Sequence, residues 1–198
     1  LLQDGTIDLS STFGVANGTD DPRFWAWQVP FLFETYDQVE QGFASAAGEM
    51  LLADWSAQAP GHALAYTLSG GFRIIASASK DIRSLEDLKG LRIATAGGPV
   101  AEAALTALGA TPVPVAGVAD DRLSSCEVDA LETTYARLAS VVGQHTEYVA
   151  YISETNHSLF LTTLVAGDAF YEALSPEQQH ALTKAARMAA QIERADAI

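Results

Sequence analysis

The residues of this chain that could do chemistry are few and dispersed. Its four histidines stand at His62, His145, His157 and His180. No two of them share the spacing that presents paired imidazoles to a metal ion, so they read as structural. The single cysteine, Cys126, sits next to Glu127 and near Asp129, with Arg122 as its only basic neighbour, a setting that does not favour a reactive thiolate. A serine nucleophile elbow, a zinc-binding His-Glu-x-x-His pair, a Walker loop and a dinucleotide-binding glycine fingerprint are all missing from the sequence. One glycine-rich turn remains. Gly97-Gly98-Pro99, between a strand and a helix, could offer backbone N–H groups to an anion or could be plain turn chemistry. Nothing in this inventory calls for catalysis, a cofactor or a metal.

Charge narrows the partners. Lys plus Arg number 11 against 25 Asp plus Glu, a net charge of −14. A field of that sign repels phosphate backbones and anionic lipid heads, which argues against nucleic acid and membrane surfaces. Arg23 is the sole basic residue before Arg73, so an anionic ligand would be held by one or two local positive groups. With 48% hydrophobic and 18% charged residues in 198, the chain can bury one sizeable core or two small lobes. No run approaches the ~20 apolar residues that span a bilayer. One cysteine rules out an internal disulfide and leaves the compartment open. The chain opens on Leu1 inside what reads as a helix end, without a signal peptide, and the expectation is that residues once preceded it.

The elements that must position these groups follow from periodicity and punctuation. Ile7–Phe13 reads as a strand, residues 17 to 23 as a loop, and Tyr36 to about Gln58 as one helix closed by Pro60-Gly61. His62–Leu68 and Gly71–Ser77 read as two strands separated by Ser69-Gly70. A short turn follows Ser84. Leu91–Ala96 is a strand, and a helix runs from Pro99 to Leu108 with Gly109 just past its end. Short elements then alternate: strands at Val113–Val115, Val128–Glu132, Glu147–Ser153 and Ser158–Ala166, and helices at Asp120–Ser125, Tyr135–Val142 and Asp168–Leu174. Ser175-Pro176-Glu177-Gln178 is a capping box that opens a long terminal helix. Strand–helix alternation after residue 91 predicts an α/β fold whose sheet is mainly parallel and covered on both faces.

Several blocks, taken in order, resemble one family. Asp4-Gly5-Thr6-Ile7-Asp8, Val29-Pro30-Phe31-Leu32-Phe33 and Gly71-Phe72-Arg73 are followed by Asp87-Leu88-Lys89-Gly90-Leu91-Arg92-Ile93. Then come Leu108-Gly109-Ala110-Thr111-Pro112, Val128-Asp129-Ala130-Leu131-Glu132, Thr155-Asn156-His157 and Leu174-Ser175-Pro176-Glu177-Gln178-Gln179. Together they resemble the solute-binding proteins of TRAP-type transporters (DctP-like). The resemblance implies a two-lobed periplasmic-binding-protein-like fold (type II-like) with strands crossing between lobes and the first lobe incomplete. The expected division is 1–76 for a partial first lobe with a crossing strand, 77–157 for a second α/β lobe, and 158–198 for a return strand and long helix. It implies an extracytoplasmic receptor, not an enzyme, whose partners are a small organic acid and membrane permease subunits. The competing reading is an effector-binding or enzymatic domain on the same fold, or a degenerate copy that binds nothing.

The resemblance also places a site. Arg73 falls on a ligand arginine of the family, with Phe13, Thr95, Glu132, Thr133 and Asn156 around it. The family's second arginine, which pairs bidentately with the ligand carboxylate, falls on Ala94 here. Arg92 lies on the same strand face as Ala94, ~6.6 Å further from the strand's C-terminal end. The expectation is that Arg73 carries the carboxylate alone and that an arginine restored at 94 would add to it. Two plainer readings stand beside this: Arg73 as an ion-pair partner within a strand, and Glu132 as a cap for the helix at Tyr135.

Overall fold

Serine, proline and glycine mark nearly every point where the chain changes element, and the computed structural model shows what each mark does. It describes residues 1–13, 22–115, 120–145 and 148–196. Most of the loop expected at residues 17 to 23, and Glu147 of the expected strand start, lie outside the described residues. Contacts divide the chain into two units. Unit 1 holds residues 1–27, 33–69 and 161–198, and unit 2 holds 28–32 and 70–160.

Unit 1 is built on a three-stranded sheet. Its strands are β1 (Leu9–Phe13), β2 (His62–Phe72) and β8 (Leu159–Ala166), with β8 in the middle and antiparallel to β1. Both β2 and β8 continue beyond the unit boundary into unit 2. The strand β1 forms an edge, where Leu9 is left exposed. A 3-10 helix at Pro22–Gln28 precedes two helices, α1 (Tyr36–Phe43) and α2 (Ala46–Gln58).

The single helix expected over 36 to 58 is broken at Ala44–Ser45. Ser45 is an N-cap: its hydroxyl accepts from Gly48 N–H at 3.2 Å, as Thr35 accepts from Gln38 N–H at 3.3 Å to start α1. The rings of Phe33, Phe43 and Tyr66 pack around Trp27. The short α7 (Asp168–Glu172) leads to α8 (Pro176–Asp196), whose capping box is reciprocal. Gln178 N–H donates to Ser175 Oγ, and Ser175 N–H donates to Gln178 Oε1 at 2.8 Å. Ala186 and Ala190 of α8 seat against Leu64, Ala65 and Ala166 of the sheet.

Unit 2 is built on a five-stranded sheet of order β5-β4-β6-β3-β7. The strands are β3 (Ile74–Ser77), β4 (Arg92–Thr95), β5 (Thr111–Pro114), β6 (Ala130–Thr133) and β7 (Tyr151–Ser153). Pairing of β4 with β5 and β6 is parallel, and pairing of β3 with β6 and β7 is antiparallel. So β4, β5, β6 and β7 run in one direction and β3 alone runs against them. That strand precedes the alternating region, which is why alternation did not report it.

The helices α3 (Leu85–Leu88), α4 (Gly98–Ala107), α5 (Asp120–Ser124) and α6 (Tyr135–His145) complete the unit. One face of the sheet buries Ile75, Ile93 and Ala130 against Ile82, Leu88 and Leu105. The other buries Ala94 and Leu131 against Leu123 and Val128. Sheet residues on the two faces alternate along β4 and β6, as the pleat requires.

The strand break expected at Ser69-Gly70 is absent. The strand runs through to Phe72, with Gly70 and Gly71 inside it at φ of 87° and 78°, values that favour glycine. A side chain at Gly70 would also put its Cβ 2.5 Å from Thr134 Oγ1. The ladder stops instead at Arg73, whose N–H donates to Ser158 O at 2.8 Å.

Candidate functional site

Arg73 joins β2 to β3 in unit 2 and is only 1% exposed. A guanidinium taken from water at that depth needs partners, because desolvating an unpaired charge is prohibitive. It has three. Its Nη1 lies 2.9 Å from Glu132 Oε2, its Nε donates to Leu159 O at 3.2 Å, and its Cζ lies 4.5 Å from the centre of the Phe160 ring. Its Nη2 is also buried and, among the described residues, has no hydrogen-bond partner. Such an atom is costly to leave alone and marks a place where a group is wanted.

Glu132 is held on three sides. Besides Arg73, its Oε2 accepts from the Thr95 hydroxyl, and its Oε1 lies 2.8 Å from His157 Nε2. The other imidazole nitrogen, Nδ1, lies 2.8 Å from Thr155 Oγ1. Burial by itself would raise the Glu132 pKa. The Arg73 charge, followed by His157 and Thr95, overcomes that and brings it down to about 2. The carboxylate is therefore ionised at every physiological pH and fixes one arm of Arg73. Glu132 is thus an ion-pair partner and not the cap of α6.

The Gly97 turn is packed tightly beside this cluster. Its N–H donates to Thr95 Oγ1 at 3.0 Å, so that donor is not offered to an anion. A Cβ at Gly97 would sit 2.4 Å from Ala101 Cβ and 3.4 Å from Arg73 Cζ. Here glycine is required by space and not by backbone angle.

The remaining expected residues are placed as follows. Thr133 is half-buried at the end of β6, opposite Ile74. Asn156 is exposed, with φ of 46° between β7 and β8. Phe13 belongs to unit 1, where it ends β1 opposite Thr162. The structure thus joins Arg73, Thr95 and Glu132 by direct contacts. It adds His157, which spacing alone had set aside as structural, although Thr155-Asn156-His157 was one of the blocks carrying the resemblance.

One expectation about cations changes. Ala94 is 1% exposed and faces the Leu123, Val128 and Leu131 cluster, on the opposite face of β4 from Thr95. A side chain grown there would enter that cluster and not the Arg73 site. Arg92 instead pairs with Asp129, Nη2 to Oδ1 at 2.8 Å, with its backbone N–H donating to the same carboxylate. Among the described residues no group of His, Cys, Asp and Glu could hold a metal ion, and no helix is long and apolar enough to cross a membrane.

Comparison with known proteins gives one answer. The profile of bacterial extracellular solute-binding protein, family 7 (DctP), matches residues 1–198. The 2,3-diketo-L-gulonate-binding periplasmic protein YiaO of Escherichia coli (strain K12) is 27% identical over 98% of this chain and 58% of its own length. A TRAP periplasmic solute-binding protein from Bordetella bronchispeptica superposes with a TM-score of 0.88 at 26% identity, covering 99% of this chain and 64% of that one. Another, from Pseudomonas putida F1 with bound D-glucuronate, does so with a TM-score of 0.85 at 28% identity, covering 98% of this chain and 63% of that one. The chain thus spans about three fifths of the relatives it matches.

Proposed function

Because the chain belongs to the DctP family, the bacterial extracellular solute-binding proteins of family 7, we propose that it captures a small organic acid outside the cytoplasmic membrane and passes it to the permease subunits of a TRAP transporter. The observation that carries this reading is the buried Nη2 of Arg73, which among the described residues has no hydrogen-bond partner. A carboxylate oxygen at that nitrogen would satisfy it by a charge-assisted hydrogen bond, the kind that is strongest out of water. Nη2 is out of contact with solvent, so binding must accompany a local opening.

The ligand class follows from the charge count at the site. The Arg73 charge is already balanced by Glu132, which leaves one hydrogen-bonding arm to offer, and position 94 supplies no second arginine. One arm of one guanidinium suits a single carboxylate better than two. Relatives support this class: one holds D-glucuronate, and another is named for 2,3-diketo-L-gulonate, both sugar acids with one carboxylate. The site performs no reaction in this reading. Glu132 and His157 hold the arginine, and the arginine holds the acid.

A thermal-shift panel of D-glucuronate, D-galacturonate, succinate and uncharged D-glucose tests it. A ligand at 100 times its Kd adds about 2.7 kcal/mol of stability. The sugar acids should raise the melting temperature, and glucose should not. No shift with any acid, or an equal shift with glucose, would overturn the reading.

A further inference from the structure

The geometry points to a second binding site in unit 2, a pocket for a small molecule with a compact apolar body and one uncharged hydrogen-bonding head. It goes beyond the carboxylate reading: neither Arg73 nor Glu132 lines it, and the two sites share only the wall made by His157, which contacts Glu132. The cavity measures about 310 Å³, at the lower end of the range for small-molecule sites. Ile75, Ile82, Leu85, Leu88 and Leu108 supply most of its apolar lining, and Ser153, Thr155 and His157 add polar groups.

Three observations carry the assignment. Ser153 is 7% exposed, and among the described residues its Oγ has no hydrogen-bond partner. It pairs across the strands with Ile75, so both side chains stand on the face that forms the cavity. A buried hydroxyl without a partner in the lining of an apolar cavity is the kind of group that fixes the orientation of an amphipathic ligand.

The mouth supplies the second observation. Leu85 and Phe31 are 61% and 62% exposed and both line the cavity, so its opening is apolar. The third is strain. Phe31 holds φ of 58°, a conformation that bulky residues avoid, and its N–H is tied to His157 O at 2.8 Å. Backbone held off its preferred region recurs where a chain clamps a ligand. Of the ionisable residues that line it, Arg83 and Glu154 are exposed, and the buried His157 has both ring nitrogens engaged, by Thr155 and Glu132. The ligand body is therefore uncharged, in contrast to the acid expected at Arg73.

Benzyl alcohol and toluene are the probes, one with the hydroxyl head and one without it, titrated into the isotope-labelled chain while backbone amide resonances are followed. Both should saturate, with shifts centred on Ser153, Thr155 and the α3 residues. Ser153→Ala should weaken benzyl alcohol about threefold to tenfold, the cost of one lost hydrogen bond, and leave toluene unchanged. Leu85→Trp alters a side chain that does not support the core, and should block both probes at an unchanged melting temperature. Arg73→Lys should alter neither titration. The assignment falls if neither probe saturates, if Ser153→Ala affects both equally, if Leu85→Trp binds like the parent, or if Arg73→Lys abolishes the alcohol's shifts.

Discussion

Arg73 holds Glu132 through one nitrogen, Nη1 to Oε2 at 2.9 Å, and not through the two-nitrogen fork that an arginine and a carboxylate form when nothing else competes. The carboxylate is engaged elsewhere. Thr95 shares its Oε2, and His157 takes its Oε1. The geometry of the pair is therefore set by neighbours that keep one arm of the guanidinium out of the ion pair.

Arg73→Lys should separate binding from folding. Lysine can keep a charge beside Glu132 but cannot present a second arm. Binding of a sugar acid should fall by ~2–5 kcal/mol, the range for removing one partner of a buried charged pair. Arg73→Ala should lose the same affinity and also ~3–5 kcal/mol of stability, because Glu132 is left buried and unpaired. Calorimetry with D-glucuronate and urea melts of both variants check this. Parental affinity in the lysine variant would make Arg73 purely structural.

The acid limb of stability should belong in part to Glu132. Its folded pKa is depressed to about 2 from an ordinary 4.5. A depressed carboxylate stabilises the fold fully above its unfolded pKa and loses that contribution as pH falls towards the folded one. Stability should therefore drop between about 4.5 and 2 in the parent, and Glu132→Gln should flatten the drop in that window. Denaturant melts across that range measure it. Equal slopes for parent and variant would move the titration to another group.

Gly97→Ala should cost ~1–3 kcal/mol, the usual result of forcing a methyl into filled space. The Ala101 methyl is rigid and cannot move aside as a flexible chain end would. Pairing it with Ala101→Gly should recover part of the loss, and thermal melts of the single and double variants give the coupling.

Ala94→Arg should destabilise the chain and leave acid binding no stronger. The charge would enter the Leu123, Val128 and Leu131 cluster, where among the described residues the structure shows it no acidic partner. A rise in affinity, measured by calorimetry, would mean that the side chain finds a route round the strand to the ligand.

The parts of this molecule that were legible in sequence are those written in local chemistry. The Ser175–Gln178 capping box starts α8 where expected, and alternation after residue 91 recovered β4, α4, β5 and β6. What was not legible depended on partners distant in sequence. Ser45 resembled any small helix residue until its hydroxyl was found on Gly48 N–H. Ser69-Gly70-Gly71 has the composition of a turn, yet the glycines hold left-handed angles inside one strand. His157 sits 25 residues from Glu132, a separation no spacing rule tests. The face of Ala94 could have been read from the pleat, since its neighbour Thr95 was already placed towards the site.

The strand order of unit 1 also sets a timetable for synthesis. Its central strand, β8, is the last of the three to be made, while β1 and β2 leave the ribosome first and flank it. Until β8 emerges, each outer strand lacks the neighbour it pairs with, and its backbone donors stay open to solvent or to a holding chaperone. All of unit 2 except Leu159 and Phe160, which belong to β8, is already out by then and can close on local contacts. A nascent chain halted just before β8 should therefore resist protease across β4, β5 and β6 while remaining cuttable in β1 and β2.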